Sequence, residues 1–279
     1  MNFFNSPEWI AQYAFEYEKA EDVPQHIFDE INIGLDNIQS DTPLVSILIS
    51  AWNEEVNILR CIATLSKQKT SIPLEIIIIN NNSADNTQYT IDKFHVKNLF
   101  QGIQGCGPAR QLGQENAKGK YILLADADCL YPDCWVEEML KVLQQKNVVC
   151  VYGRYSFIPE PGFPRWKLFF FEKFKDIITE IRHIRQPYLN CFGISMGFMR
   201  EYSLKIGFIM TKFWGDDGQL AMQMMQYGKI KQVRANKARV WTGVRSLQRD
   251  GNFVEALTKR LRKEYKRFST NFFGRLHGR

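Results

Sequence analysis

The chain has 279 residues, of which 45% are hydrophobic and 24% charged, and its formal net charge is +6. This balance is that of an ordinary globular protein, and it excludes disordered, collagenous and coiled-coil chains. A fold of this length buries roughly three quarters of the surface of its unfolded chain, so it needs no disulfide or metal to hold it together.

The longest apolar run, residues 44–52, is interrupted by two serines and is far shorter than the roughly 18 residues that span a bilayer. The first ten residues lack the cationic start and apolar stretch of a secretory signal. We therefore expect a cytoplasmic protein. Its six cysteines form no C-x-x-C pair, so they are expected to be reduced thiols.

Charge is concentrated at the two ends of the chain. Residues 1–42 hold nine acidic residues and one lysine, whereas residues 235–279 hold twelve Lys or Arg and three acidic residues. The basic tail predicts contact with phosphate-bearing partners such as anionic lipid, nucleic acid or a phosphorylated substrate. The alternative is a tail that is solvated or pairs with the acidic head, and the sequence leaves these interpretations open.

From residue 43 onward, short β-rich apolar runs alternate with helical stretches. The predicted strands are 44–50, 76–79, 98–101, 121–125 and 148–152, and the predicted helices are 54–67, 83–94, 108–118 and 132–145. Four consecutive isoleucines at 76–79 indicate a strand that is buried on both faces. The alternation predicts an α/β fold with a mostly parallel central sheet flanked by helices, in which ligands bind beyond the carboxyl ends of the strands.

After residue 153 this alternation ends. Prolines at 159, 161 and 164 mark a turn-rich link, and a helix is predicted over 168–184. The last predicted helix, about 253–273, is basic and carries one apolar stripe, formed by Phe253, Leu257, Leu261, Tyr265, Phe268 and Phe272. The predicted divisions are an acidic, partly helical extension (1–42), two central halves (43–153 and 154–250) and a basic amphipathic C-terminal helix (251–279).

Two carboxylates directly follow the predicted strand 121–125. Asp126 and Asp128 lie one residue apart at its carboxyl end, where they can converge on a hard divalent cation or on ribose hydroxyls. A solvated turn that caps the next helix is the simpler interpretation of an isolated D-x-D. The metal-site interpretation therefore depends on what surrounds the pair.

Four stretches surround it in order: PLVSILISAWNEE (43–55), LEIIIINNNSADNT (74–87), GCGPARQLGQENAKGKYILLADAD (105–128) and WGDDGQL (214–220), followed by Gly228. Residues 43–230 thereby resemble the family 2 glycosyltransferases, which have the GT-A fold. The resemblance implies a nucleotide-sugar-binding half (43–153) and an acceptor-binding half (154–250). It also implies inverting transfer of a sugar from a nucleotide-sugar donor to a hydroxyl of a glycan or lipid-linked saccharide acceptor, with Mg²⁺ or Mn²⁺ as cofactor.

The resemblance assigns donor-binding roles by position. Ala51, Trp52 and Glu54 match a turn that contacts the base and ribose, with a core aromatic as the alternative for Trp52. Asn81, in the run of three asparagines at 80–82, matches a loop in which many members bind the base through aspartate. Asparagine can pair with an imide or amide edge as well, so the identity of the base stays open.

The same resemblance supplies the reacting groups. Arg110 matches a basic residue near the diphosphate, with a salt bridge to a helix neighbour as the alternative. Asp126 would lie near ribose and metal, and Asp128 would bind the metal directly. Asp217 is the predicted catalytic base, while Asp216 is an alternative base or orients the acceptor. Simple capping of the following helix is the competing interpretation of these two acids.

Other features depart from the family or stay open. No third protein ligand for a metal is evident, because the only histidine after position 183 is His277. Gln223 stands where related motifs often have arginine. A loop containing Arg245, Gln248 and Arg249 could close over the donor, although a plain surface loop is the simpler interpretation.

Competing classes of protein fit less well. A sugar nucleotidyltransferase would carry a glycine-rich loop after its first strand, where this chain has SAWNEE (50–55). A dinucleotide-binding fold would need a third glycine after Gly105 and Gly107. The non-enzymatic alternative is a binding protein that uses the basic C-terminal helix. That helix could also give an enzyme peripheral contact with a membrane, with packing of its apolar stripe on the core as the alternative, and no nucleic-acid partner is expected.

Overall fold

The structure is a computed structural model and describes residues 4–210, 215–255, 257–260 and 262. The strands, in chain order, are β1 (Val45–Ala51), β2 (Leu74–Asn80), β3 (Lys97–Phe100), β4 (Tyr121–Asp126), β5 (Cys129–Leu130), β6 (Val148–Tyr152), β7 (Tyr155–Phe157), β8 (Met196–Met199), β9 (Lys229–Gln232) and β10 (Val240–Thr242).

Helices cover both faces of these strands. They are α1 (Glu8–Ala11), α2 (Gln25–Ile38), α3 (Asn57–Leu65), α4 (Thr87–Asp92), α5 (Cys106–Asn116), α6 (Trp135–Leu143), α7 (Arg165–Arg185), α8 (Arg200–Ile206), α9 (Asp216–Met224) and α10 (Arg245–Gln248). Residues 253–255, 257–260 and 262 are also helical.

Seven strands form one mixed, mostly parallel sheet in the order β3-β2-β1-β4-β8-β6-β9. Only β8 runs antiparallel to its neighbours β4 and β6 among these described strands. A second sheet, in the order β5-β10-β7, has three short strands. The predicted α/β architecture with a mostly parallel central sheet is confirmed.

The isoleucine run of β2 is buried on both faces, as its sequence predicts, and every residue of the strand is buried. Ile76 and Ile78 pack in the cluster that contains residues of α2, α3 and α6. Ile77 and Ile79 pack in the opposite cluster, with residues of α5 and α9. Each buried isoleucine contributes about 1.5–3 kcal/mol to the stability of the fold. This strand therefore holds the helices on both faces against the sheet.

Several helices begin later than the sequence pattern predicts. Residues 52–56 form a turn before α3, because Asn53 has a positive φ of 54° and the Glu54 backbone N–H donates to the Thr87 hydroxyl. Asp85 accepts from the Thr87 backbone N–H, which starts α4 at Thr87. The Pro132 carbonyl accepts from the Trp135 N–H in a separate turn before α6.

By contrast, α5 starts two residues before Pro108. Gly105 precedes it with a φ of 146°, and Pro108 lies in the first turn, where a missing N–H costs no helical hydrogen bond. The predicted helix over 168–184 is confirmed and extends to Arg165–Arg185.

The boundary at residue 153 does not divide the sheet, because β8 and β9 come from the second half of the chain and pair with β4 and β6. The division into donor and acceptor halves therefore stays a prediction. Most of the predicted helix 253–273 lies outside the described residues, and the part that is described is helical.

The acidic head pairs with the body of the protein. Glu30 lies 2.8 Å from the Lys67 ammonium, and Asp36 lies 3.1 Å from the His95 ring. No ion pair joins head and tail within the described ranges. No helix in that part of the chain is long and apolar enough to cross a membrane. All six cysteines are free, as expected.

Candidate functional site

The ends of three adjacent parallel strands form the floor of the site. In the sheet register Ala51 lies opposite Asn80, and Ser50 lies opposite Asp126. The Tyr131 hydroxyl accepts from the Asp126 backbone N–H at 2.8 Å and donates to the Ile194 carbonyl at 3.0 Å. This fully buried tyrosine therefore ties the end of β4 to the loop that precedes β8.

The turn after β1 presents Trp52 and Glu54 at this edge. Trp52 is 50% exposed, so it is not a core aromatic, and its ring is available to a ligand. The Glu54 carboxylate accepts from the Asn57 side chain and from Arg245. Ala51 is buried, and its carbonyl accepts from the Asn81 N–H.

Asn81 is buried, and its side chain is engaged by the chain itself. Its amide donates to the carbonyls of Gln101 and Ile103, and its oxygen accepts from the Gly105 N–H at 2.7 Å. These bonds position the start of α5. A nucleobase that accepts from the Asn81 NH2 group would have to replace one of these donated bonds, whereas the oxygen keeps a second lone pair for a donor, and that role stays a prediction.

Arg110 on α5 is the centre of the site. Its Nη1 lies 2.9 Å from Oδ2 of Asp216 and 2.9 Å from Oδ1 of Asp217. Its Nη2 lies 3.8 Å from Oδ1 of Asp126. The guanidinium therefore brings the D-x-D pair and the second acidic pair into one charged cluster. The predicted alternative, a salt bridge to a neighbour on the same helix, is not what these contacts show.

Gly193 allows this close approach. A Cβ atom at that position would lie 1.8 Å from Arg110 Nη2, so a larger residue would displace the guanidinium. The Gly193 backbone N–H also donates to Oδ2 of Asp217 at 2.5 Å. Both oxygens of Asp217 are thus held, and the carboxylate has a fixed orientation.

The two acids at the start of α9 differ in basicity. Burial raises the pKa of Asp216 to about 6, with the neighbouring Asp217 adding to the effect. Burial opposes ionisation of Asp217 too, but the Arg110 guanidinium and the Gly193 N–H hold its pKa below the usual value. The site therefore contains one firmly ionised carboxylate next to one that accepts a proton more readily.

Asp126 and Asp128 fit a divalent cation. One ligand atom from each, together with the Cys129 sulfur, lies within 4.8 Å of the others. Burial raises the pKa of the Cys129 thiol well above its usual value, so the sulfur stays protonated and is a poor ligand for a hard cation. The carboxylate oxygens are the donors that Mg²⁺ and Mn²⁺ prefer.

Arg245 also belongs to the site, although the sequence indicated only a weak role for it. Its Nη2 lies 2.8 Å from Oδ2 of Asp128 and 2.5 Å from Oε1 of Glu54. It lies more than a hundred residues along the chain from Glu54 and Asp128, so no local pattern indicates the contact. The only sequence signal was its place in a basic loop after β10.

The fold is that of the GT-A glycosyltransferases. The mannosyltransferase PcManGT from Pyrobaculum calidifontis, determined in complex with GDP-Man and Mn²⁺, matches with a TM-score of 0.56. The match is 17% identical in sequence and covers 87% of this chain and 73% of that one. At this identity the likeness shows the fold alone.

The sequence profile of Glycosyl transferase family 2 matches residues 46–207, which is more than half of the chain. The chain therefore belongs to glycosyltransferase family 2, as its motifs predict.

Curated relatives match over a shorter stretch. The glycosyltransferase GlyG of Streptococcus pneumoniae serotype 4 is 29% identical over 118 residues, 40% of this chain and 39% of GlyG. The chondroitin synthase of Pasteurella multocida is 39% identical over 117 residues, 39% of this chain and 12% of that protein. The match spans only about a third to a half of the first curated relatives.

Proposed function

We propose that this protein transfers a sugar, with inversion at the anomeric carbon, from a nucleotide-sugar donor to a hydroxyl of a glycan or lipid-linked acceptor. The observation that carries the proposal is the position of Arg110, which contacts Asp126 on one side and Asp216 and Asp217 on the other. One cleft can thus hold a donor diphosphate next to a carboxylate that faces the acceptor. The family 2 membership and the Mn²⁺ complex of PcManGT support it.

On the donor side, the half-exposed Trp52 offers a ring surface for the base, and Glu54 lies in the same turn. The Arg110 guanidinium presents a flat, permanently charged group that suits a diphosphate. Gly193 leaves room for this guanidinium, and Asp216 and Asp217 hold it, so the charge is already oriented before the donor binds.

On the acceptor side, Asp217 removes the proton from the attacking hydroxyl. A positioned base of this kind contributes about 10²–10⁴-fold in rate. The Gly193 N–H and Arg110 fix the orientation of Asp217, and Asp216, which holds the same guanidinium, keeps that arrangement in place. Because these contacts hold the pKa of Asp217 below its usual value, the carboxylate is ionised and able to accept the proton.

Asp126 and Asp128 would hold a divalent cation, Mg²⁺ or Mn²⁺. When bound, such a cation neutralises the negative charge of the diphosphate leaving group.

Two variants separate the proposed roles. Asp128→Ala should abolish the metal-dependent part of donor binding, whereas Asp217→Asn should keep donor binding and lose about 10²-fold or more in transfer. Calorimetric titration with a nucleoside diphosphate and Mn²⁺ measures binding, and turnover of a nucleotide sugar measures transfer. Asp41→Asn is the matched control, because Asp41 is exposed and lies outside the cleft. Unchanged transfer by Asp217→Asn would assign the base to Asp216.

A further inference from the structure

We propose that the outer face of α7 binds the surface of an anionic lipid bilayer. This helix has 21 residues, and apolar side chains on its outer face are 39–79% exposed. The ones that carry the argument are Trp166, Phe174, Ile177, Ile181 and Ile184. Large exposed apolar patches on a folded protein mark interaction surfaces.

These five side chains lie along one side of the helix. At 3.6 residues per turn and 1.5 Å per residue they fall within about 80° of arc and extend over about 27 Å of helix. A narrow apolar stripe on a helix that lies flat against a surface is the geometry of an interfacial amphipathic helix.

The acidic residues of α7 are neutralised within the protein. Each is paired with one or more arginines, and the pairs are Glu172–Arg165, Asp176–Arg239, Glu180–Arg154 and Glu180–Arg234. As a result, the acids of this helix contribute little negative charge to its outer face.

The charges that border the stripe are basic. On the helical wheel Lys173 lies on one edge of the stripe, and Lys167 and Arg185 lie on the other. No carboxylate in the described ranges forms an ion pair with these three residues, and the two lysines contact aromatic rings instead. Basic groups beside an apolar stripe complement a surface that carries phosphate groups.

The same charges disfavour two other occupants of this face, a second copy of the chain and the chain's own segment 263–279. In a two-fold contact between antiparallel copies of α7, Lys167 of one copy would approach Arg185 of the other. The segment 263–279 of the chain carries five Lys or Arg and one Glu, so it too would bring like charge to the rim. Of the bilayer, a second copy and the segment 263–279, only an anionic bilayer carries a charge opposite to that of Lys167, Lys173 and Arg185.

The end of α7 leads directly to the acceptor side of the cleft. Asn190 donates to the Thr179 carbonyl and thereby fixes the connection to α7. Three residues later, the Gly193 N–H donates to Asp217. A short, fixed connection therefore joins α7 to the Asp217 side of the site. Binding of α7 to a bilayer does not itself depend on sugar transfer.

Vesicle sedimentation of the full chain tests the proposal in the absence of donor. Wild type should sediment with vesicles that contain phosphatidylcholine and phosphatidylglycerol. Ile177→Glu/Ile181→Glu should bind at least about tenfold more weakly, because two apolar groups are lost from the contact. Ile33→Glu is the matched control, since Ile33 is 65% exposed on α2, and it should bind like wild type.

Charge and fluorescence give independent measurements. Lys173→Gln and Arg185→Gln should each weaken binding about fivefold on anionic vesicles and leave binding to pure phosphatidylcholine unchanged. Vesicles should shift tryptophan emission to shorter wavelength in wild type, and Trp166→Phe should remove most of that shift.

Three results would overturn the proposal. The first is equal sedimentation of the Ile177/Ile181 variant and wild type. The second is loss of binding in Lys266→Gln/Arg267→Gln while the α7 variants still bind, which would assign the contact to the tail. The third is a wild-type dimer in light scattering that Ile177→Glu/Ile181→Glu converts to monomer, with no vesicle binding by either protein.

Discussion

Arg245 is the residue whose contacts most directly affect cation binding. Its guanidinium pairs with Asp128 and Glu54, and its side chain is 43% exposed. A cation held by Asp128 must compete with this guanidinium for the same carboxylate. We therefore expect Arg245→Ala to bind Mn²⁺ about fivefold more tightly without donor, equivalent to the ~1 kcal/mol of a partly exposed ion pair.

Electron paramagnetic resonance of free Mn²⁺ measures this affinity directly. Arg249→Ala is the matched control, because Arg249 is exposed and lies just after the same short helix, so the variant loses the same charge without losing the contact. Equal affinities in the two variants would mean that overall charge, and not the pairing with Asp128, sets the effect. Weaker binding by Arg245→Ala alone would mean that Arg245 orders the site.

The individual residues of the site differ in how far the sequence predicts them. Asp126 and Asp128 are adjacent to a strand, so their location at the sheet edge follows from local pattern. Arg110 meets Asp216 and Asp217 across more than a hundred residues of chain, and only the family resemblance pointed to these three. Gly193 has no local signal, because its role depends on the approach of a side chain from another helix.

At the level of elements, the long, strongly apolar strands were the predictable ones. Residues 148–152 form β6 as predicted, and the isoleucine run lies within β2. By contrast, β8 was missed, because Met196–Met199 is short, contains a glycine, and is inserted antiparallel between β4 and β6. Its position depends on pairing across the sheet, which no local period encodes. The strands of the small sheet have only two or three residues each.

Lys175 lies on the inner side of α7 and helps to hold this helix against the protein. Its ammonium donates to the Tyr155 carbonyl and lies 3.1 Å from the centre of the Tyr155 ring. Burial lowers the pKa of Lys175 to about 7. The nearby carboxylates of Asp176 and Glu172 are already paired with arginines, so they do not fully offset this burial.

This lowered pKa predicts a pH dependence of stability. An unfolded lysine has a pKa of about 10.4, so as pH falls toward 7 the unfolded chain binds a proton that the folded one does not. The free energy of unfolding of wild type therefore decreases as pH falls through that range, by at most about 1.4 kcal/mol per pH unit. Lys175→Met should be stabilised relative to wild type most near neutral pH, with the difference shrinking as pH rises.

Urea unfolding at about pH 7 and about pH 9 checks this prediction, with stability compared at each pH. Lys173→Met is the control, since Lys173 is exposed on the same helix and should show no such trend. A constant difference between Lys175→Met and wild type at both pH values would contradict the lowered pKa.

For the molecule as a whole, the two halves of the chain are joined by one sheet, and the cleft lies where Arg110 meets acids from both halves. The general architecture could be predicted because it follows from alternating strands and helices. The pairing of the acidic head could not, since its partners Lys67 and His95 are set by the packing of α2 on the body. Charge totals alone left open whether the basic tail pairs with the acidic head or with phosphate-bearing partners.

Donor binding in this cleft should stabilise the whole molecule. A ligand at a hundred times its Kd adds about 2.7 kcal/mol, which corresponds to a rise in Tm of about 5–10 °C for a domain of this size. In a thermal-shift panel of nucleoside diphosphates we expect one base to give this rise, and only with Mn²⁺ present. Asp128→Ala should lose it, whereas Asp217→Asn should keep it. A rise of the same size without Mn²⁺, retained in Asp128→Ala, would show that Arg110 holds the diphosphate without help from a cation.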